Sequence, residues 1–258
     1  MNLKILVINL KASSKRRARI SKQLDGLNIP YKFLEATEGR LLTDEWIENN
    51  IGDRLKYIYY NELHHSVNKN ALACADSHRK AQLIASNFDS GYTLILEDDV
   101  DLTSNFKKKI LNTVKLMQEH SLYLAFPGYN LAKGTCEKRI DADCSGLGFS
   151  FLNYPVAGHV SGSYSYIVDS IGARKLVEDN LEKIQDTADT FYVKEKGLNE
   201  STVLLYPKLV TTGYFESDIG YLTSQHSLIK RAKRIIYSLS LKSNTVHYFL
   251  RYKKEKTM

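Results

Sequence analysis

Long hydrophobic runs are missing from this 258-residue chain: no apolar stretch approaches the ~20 residues that cross a bilayer. At the start only Ile5 to Ile8 is unbroken, short of the about 7–15 apolar residues of a signal-peptide core. Synthesis in the cytoplasm and retention there are the expectation. Cysteine is scarce as well. Cys74, Cys136 and Cys144 are odd in number, widely spaced and without a CxxC pair. That excludes a disulfide framework and leaves too few ligands for a zinc site. Reduced thiols are expected, with Cys74 packed in a core as a small hydrophobe. Internal repeats and low-complexity linkers are absent too.

The body also lacks excess charge, although the whole chain carries +7. From His226 to the end nine lysines and arginines face Glu255 alone, a net +8, so the first 225 residues sum to −1. Nucleic-acid binding by a basic body is disfavoured, and an electrostatic tail is favoured. What remains is ordinary for a folded enzyme: 43% hydrophobic and 25% charged residues, enough to bury a sizeable core. The expected organisation is a catalytic domain over 1–225 and a basic amphipathic tail over 226–258. In that tail Leu228, Ile229, Ala232, Ile235, Ile236 and Leu239 recur every three to four residues among lysines and arginines. This is the pattern of a helix lying in a membrane interface, with packing on the catalytic domain as the alternative.

Along the body, Leu3 to Leu10 reads as a buried strand. A helix capped by Ser13 or Ser14 follows, with Ile20, Leu24 and Leu27 as its stripe, and then a strand from Tyr31 to Leu34. This β-α-β opening indicates a parallel sheet with crossover helices. Asp44 to Asn50 predicts a helix, whereas Tyr57 to His65 has no clean period and reads as irregular. From Ala71 a helix places Cys74, His78, Ala81, Ala85 and Phe88 on one face. Tyr92 to Leu96 is a second buried strand, and Ser104 can cap a helix striped by Phe106, Ile110, Val114 and Met117. After a short strand at Tyr123 to Phe126, the stretch Gly128 to Gly148 reads as a long loop. A strand from Val160 to Val168, a helix over Ile171 to Leu181, a short helix from Asp186 to Lys196 and a strand at Thr202 to Leu205 complete the body.

The strongest chemical signal is Leu94-Ile95-Leu96-Glu97-Asp98-Asp99-Val100-Asp101, a buried strand running into four carboxylates. Ligands of open α/β sheets gather at the carboxyl ends of strands. Crowded carboxylates repel one another, and a hard cation such as Mg²⁺ or Mn²⁺ relieves this while also accepting diphosphate oxygens. The D-x-D spacing alone carries little information among 15 aspartates, and Asp141-Ala142-Asp143 repeats it. Two alternatives stay open. Asp101 and Glu97 could simply favour the start of the next helix, or Asp99-Val100-Asp101-Leu102-Thr103 could be the motif of a haloacid-dehalogenase-like phosphatase.

Several motifs together resemble glycosyltransferase family 25: Val7-Ile8-Asn9-Leu10 with Arg16-Arg17, Glu35-Ala36-Thr37 with Gly39-Arg40, Cys74-Ala75-Asp76-Ser77-His78, the acidic block, Gly162 to Tyr166, and Ser217-Asp218-Ile219. They fall in the family's order over about residues 3 to 220. The resemblance implies a GT-A-like α/β nucleotide-sugar transferase fold with a mostly parallel central sheet flanked by helices. It implies inverting transfer of a hexose, galactose first and glucose second, from a UDP-hexose with Mn²⁺ or Mg²⁺. The acceptor would be a lipid-linked oligosaccharide of lipooligosaccharide or lipopolysaccharide, and the enzyme would sit peripherally on the inner face of the anionic cytoplasmic membrane. A non-catalytic carbohydrate-binding module on a retired enzyme fold is the rival class.

Carried onto this chain, the resemblance makes Asp99 and Asp101 metal ligands, with Asp218 and His226 as candidate additions. Asn9, Leu10, Arg16, Thr37, His78, Asp98 and Asp99 are candidates for holding the nucleotide sugar. For Arg16 a solvated helix face, and for His78 a hydrogen-bonded core position, are the plainer readings. Asp189 is the expected base and Asp186 the second choice, against a simple role in charging a helix start. Three departures from the family pattern are Thr37, where Asp is common, Asp76, where a small apolar residue is common, and Thr211-Thr212, in place of a stretch that often carries a Gln.

Overall fold

The computed structural model describes residues 2–63, 67–89, 91–133, 138–140, 148–154, 159–188 and 197–212. The expectations for Asp189, Asp218, His226 and the 226–258 tail lie outside the described residues.

The opening is β1 (Leu3–Asn9), α1 (Ser14–Gly26) and β2 (Lys32–Glu35), and both β2 and the later β3 (Tyr92–Glu97) lie parallel to β1. Between them run α2 (Asp44–Asn50), α3 (Asp53–Tyr60) and α4 (Lys69–Ser86). Thr43 caps α2 by accepting from the Trp46 amide, and Asn68 caps α4 by accepting from that of Ala71. The stretch from Tyr57 read as irregular begins inside a helix, α3. Leu55 and Ile58, three apart, are its buried face, while Tyr57 and Tyr60 are exposed. Large aromatics on the solvent side blurred the period that those two residues set.

The second half contains β4 (Asp101–Leu102), α5 (Phe106–Glu119), β5 (Leu124–Phe126), β6 (Asn130–Lys133), β7 (Lys138–Ile140), β8 (Ser150–Asn153), β9 (His159–Ser161), β10 (Ser165–Asp169), α6 (Ser170–Val177), β11 (Thr202–Tyr206) and β12 (Val210–Thr211). Phe106, Ile110, Val114 and Met117 are fully buried as their spacing requires. Ser104 does not cap α5; Asn105 occupies that position in a left-handed conformation. β6 and β7 lie in the stretch read as a loop. The expected strand from Val160 is two strands, broken at Gly162, whose φ of +94° a side chain would strain.

The eight-stranded sheet has the order β2-β1-β3-β10-β5-β11-β8-β7. It is mixed, not mostly parallel. β2/β1, β1/β3 and β5/β11 are parallel, whereas β10 runs antiparallel to both β3 and β5, and β8 to both β11 and β7. Parallel neighbours need a crossover, and among the described residues the chain approaches β10 through short strands.

Alternation along the strands builds two cores on the two sheet faces. Leu94 and Leu96 join Ile20, Leu24, Phe106 and Ile110 under α1 and α5. Ile95 joins Ala81, Ala85, Tyr166 and Ala173 under α4 and α6. A third cluster, with Ile47, Ile51, Leu55 and Leu72, knits α2 and α3 to α4. The structure is therefore an α/β fold with a central sheet between helices. Among the described residues no helix is long and apolar enough to cross a membrane.

Candidate functional site

β1 and β3 pair so that Ile8 lies opposite Glu97, and the chain leaves both strands at the same sheet edge. A cavity of about 370 Å³ opens there, within the size range of small-ligand sites. Its walls are Leu10, Ser13 and Arg16 beyond β1, Thr37 to Arg40 beyond β2, Asn70, Cys74, Ser77 and His78 on α4, and Glu97, Asp98 and Asp99 at the end of β3. Gly39 lets the loop lie close to α4, since a Cβ there would stand 2.7 Å from the Asn70 Cα.

Six of the seven residues expected to hold the nucleotide sugar line this cavity: Leu10, Arg16, Thr37, His78, Asp98 and Asp99. Asn9, the seventh, is buried behind the wall, where its Nδ2 donates to Asp98 Oδ2 at 2.6 Å. Arg16 is not on a solvated face; its Nη1 lies 3.6 Å from Asp98 Oδ1 with the side chain largely buried. Thr37 Oγ1 donates to the Asp76 carboxylate, so two of the three departures from the family pattern touch each other. Lys80 lies 2.9 Å and Arg79 2.8 Å from Asp76. Burial pushes the Asp76 carboxyl up, but the Thr37 and Lys80 hydrogen bonds and both cations outweigh it and hold the group below the usual carboxylate range.

The four carboxylates have separate fates. Glu97 Oε1 lies 3.2 Å from His78 Nε2 and accepts from Ser163 Oγ at 3.0 Å. Burial alone would raise its pKa, but His78, Ser163 and the Arg16 charge bring it below the ordinary value. Asp98 is held by Asn9 and Arg16. Asp101 pairs with Arg19 of α1, and its backbone lies opposite Thr211 in the β4/β12 ribbon. It is not among the residues lining the cavity. Asp99 differs from all three. Its Oδ1 is buried without a hydrogen-bond partner among the described residues. Burial, followed by the nearby Glu97 and Asp98 charges, pushes its carboxyl up to about 6 although Arg16 opposes this. Neither Asp101 nor Glu97 serves the next helix; the first turn of α5 contains no acid.

His78 is buried, hydrogen-bonded and cavity-lining at once, with its Nδ1 3.2 Å from the Tyr166 hydroxyl. Cys74 is not packed in a core: it is only half-buried and lines the cavity. One ligand atom each of Cys74, His78 and Glu97 lies within 4.8 Å of the other two, a group that could hold a divalent cation. The i, i+4 spacing places Cys74 and His78 on one helix face whose apolar period matches a core stripe, and nothing in the spacing brings the distant Glu97 to it. Asp186 does not begin a helix; it follows Ile184, which bridges to Ile51, and it is not among the cavity-lining residues.

Residues 2–192 match the profile of glycosyltransferase family 25, described as an LPS biosynthesis protein. The chain belongs to this family. That sets aside the phosphatase reading of the acidic block. Protein R655 of Acanthamoeba polyphaga mimivirus, whose name assigns it provisionally to the glycosyltransferases, is 30% identical over 181 residues, 69% of this chain and 53% of its own. A glycosyltransferase 25 family member of Aedes aegypti is 26% identical over 184 residues, 70% of this chain and 29% of its own. The chain thus spans about half the length of the first relative and under a third of the second. The crystal structure of HddC from Yersinia pseudotuberculosis aligns over 75% of this chain and 65% of its own, at 13% identity and a TM-score of 0.31.

Proposed function

We propose that this member of family 25 transfers a hexose, galactose in the first place and glucose in the second, from a UDP-sugar to a lipooligosaccharide or lipopolysaccharide acceptor, with inversion at the anomeric carbon. The observation that carries the proposal is Asp99: a buried carboxylate oxygen without a donor among the described residues, beside two further acids, in the lining of the cavity. Such a group suits Mn²⁺ or Mg²⁺, which takes hard oxygen ligands. Bound there, the cation would neutralise charge that builds on the departing diphosphate. Asp99 is the leading ligand. Asp101 joins it only by exchanging Arg19 for the cation.

The protein's own groups divide the remaining work. Asn9 and Arg16 hold the Asp98 carboxylate, which leaves the wall at that point close to neutral. Leu10, Ser13 and Thr37 offer a mixed apolar and hydroxyl surface to the nucleotide. A carboxylate on the acceptor side takes the proton of the attacking hydroxyl; Asp189 is our choice for it, with Asp186 second. We place the enzyme on the cytoplasmic face of the inner membrane, with the basic 226–258 segment on anionic lipid, where the acceptor is anchored.

Release of UDP from a panel of UDP-sugars, with Mn²⁺ and with excess chelator, tests the reading. Chelator-sensitive UDP release from UDP-galactose or UDP-glucose is expected, and Asp99→Asn should abolish it. Tight metal-dependent UDP binding with no turnover of any sugar in the presence of acceptor would favour the carbohydrate-binding module instead.

A further inference from the structure

We propose that Cys74, His78 and Glu97 form a second metal site, selective for a soft divalent ion of the Zn²⁺ class and separate from the oxygen-only position at Asp99. This goes beyond sugar transfer and does not depend on it.

Cys74 and His78 are four residues apart on α4, so both side chains leave the same helix face. Glu97 reaches that face from the end of β3, and the three ligand atoms come within 4.8 Å of one another. The His78 Nε2 to Glu97 Oε1 separation is 3.2 Å. Two ligands about 2.0–2.1 Å from a tetrahedral zinc are separated by roughly 3.3 Å, so this pair already stands at the span an ion requires. The thiolate needs to come within about 3.6 Å of the other two, an adjustment of at most roughly 1 Å from the 4.8 Å bound.

The surroundings agree with this geometry. A metal-bound histidine normally has its other ring nitrogen held by an outer group that fixes the ring. Here Tyr166 stands 3.2 Å from Nδ1, and Gln82 Nε2 donates to the same hydroxyl at 3.4 Å. All three ligand residues line the 370 Å³ cavity, which leaves the fourth coordination position open to water or a ligand. The donor set decides which ion binds. Thiolate and imidazole favour zinc-class ions, whereas Mg²⁺ and Mn²⁺ prefer carboxylate and water. Binding releases the thiol proton; His78 binds through its Nε2 lone pair as a neutral imidazole, with its one proton on Nδ1 towards the Tyr166 hydroxyl, and Glu97 then bonds to the ion in place of His78.

Co²⁺ titration of the metal-free full chain, followed by absorption, provides the test. The expected result is one equivalent bound, with a thiolate-to-cobalt charge-transfer band and the visible absorption of tetrahedral cobalt, both removed by Zn²⁺ and unaffected by Mn²⁺ excess. Cys74→Ala, checked for unchanged circular dichroism, should lose the charge-transfer band and at least tenfold in affinity. The Cys136→Ser/Cys144→Ser double variant and Asp99→Asn should both retain the band. The site is overturned if no such band forms, if the band persists in Cys74→Ala, or if it disappears in the double variant.

Discussion

Replacing Asp99 by asparagine should stabilise the metal-free protein, and the gain should depend on pH in a defined way. The carboxyl is pushed from its ordinary 3.8 to about 6, first by burial and then by the Glu97 and Asp98 charges. Two units at 1.36 kcal/mol each amount to about 3 kcal/mol. The sign follows from proton counting. Between pH 3.8 and 6 the unfolded chain has released the proton while the folded protein keeps it. Stability is therefore lost as pH rises through that window, and the full cost applies above it. Asparagine cannot ionise, so the variant should match the parent below about pH 4 and exceed it by up to about 3 kcal/mol at pH 7–8. For a domain of this size that is roughly 6–12 °C in Tm. Thermal melts in chelator from pH 4 to 8 measure it directly. Adding Mn²⁺ should raise the parent's Tm and leave the variant's unchanged. A variant destabilised by the same amount at every pH would refute the reasoning, because Asp99 would then be a structural group and not a carboxylate penalised by burial and by its acidic neighbours.

Arg19→Gln should raise Mn²⁺ affinity several-fold if Asp101 is a ligand, since the competing guanidinium on that carboxylate is gone; in that case Asp101→Asn abolishes transfer, and unchanged affinity in Arg19→Gln assigns Asp101 to the Arg19 pair alone. Asp189→Asn should reduce turnover by roughly two to four orders of magnitude with little change in UDP affinity, the signature of a group acting in the transition state, while Asp186→Asn should be much milder; a reversed order identifies Asp186 as the base. Truncation after Gln225 should abolish sedimentation with anionic vesicles, where each basic residue near the surface contributes about 1 kcal/mol, and spare activity on soluble sugar acceptors. Insolubility or inactivity of the truncated protein would instead show that the segment belongs to the fold.

Which features were legible in the sequence follows from the range over which each is encoded. The stripes of α1 and α5 and the runs of β1 and β3 depend on residues a few positions apart, and their burial came out as their periods require. The sheet's mixed direction was not legible, because β10 enters between β3 and β5 only through pairing with strands that are distant in sequence. The acidic block shows the same division within eight residues. Its place at a strand end can be read from Leu94 to Glu97, but the direction of each carboxylate cannot. An extended chain would point Asp99 and Asp101 the same way. The turn at Asp98-Asp99 breaks that alternation, and pairing of β4 with β12 then sets the path on which Asp101 meets Arg19. Cys74 and His78 illustrate the converse. Their spacing specifies a shared face, but an apolar stripe and a cavity wall have the same period. Only the crossing of α4 over the end of β3 brings Glu97 and an opening to that face, so a stripe that could have been all core carries a thiol and an imidazole facing a carboxylate.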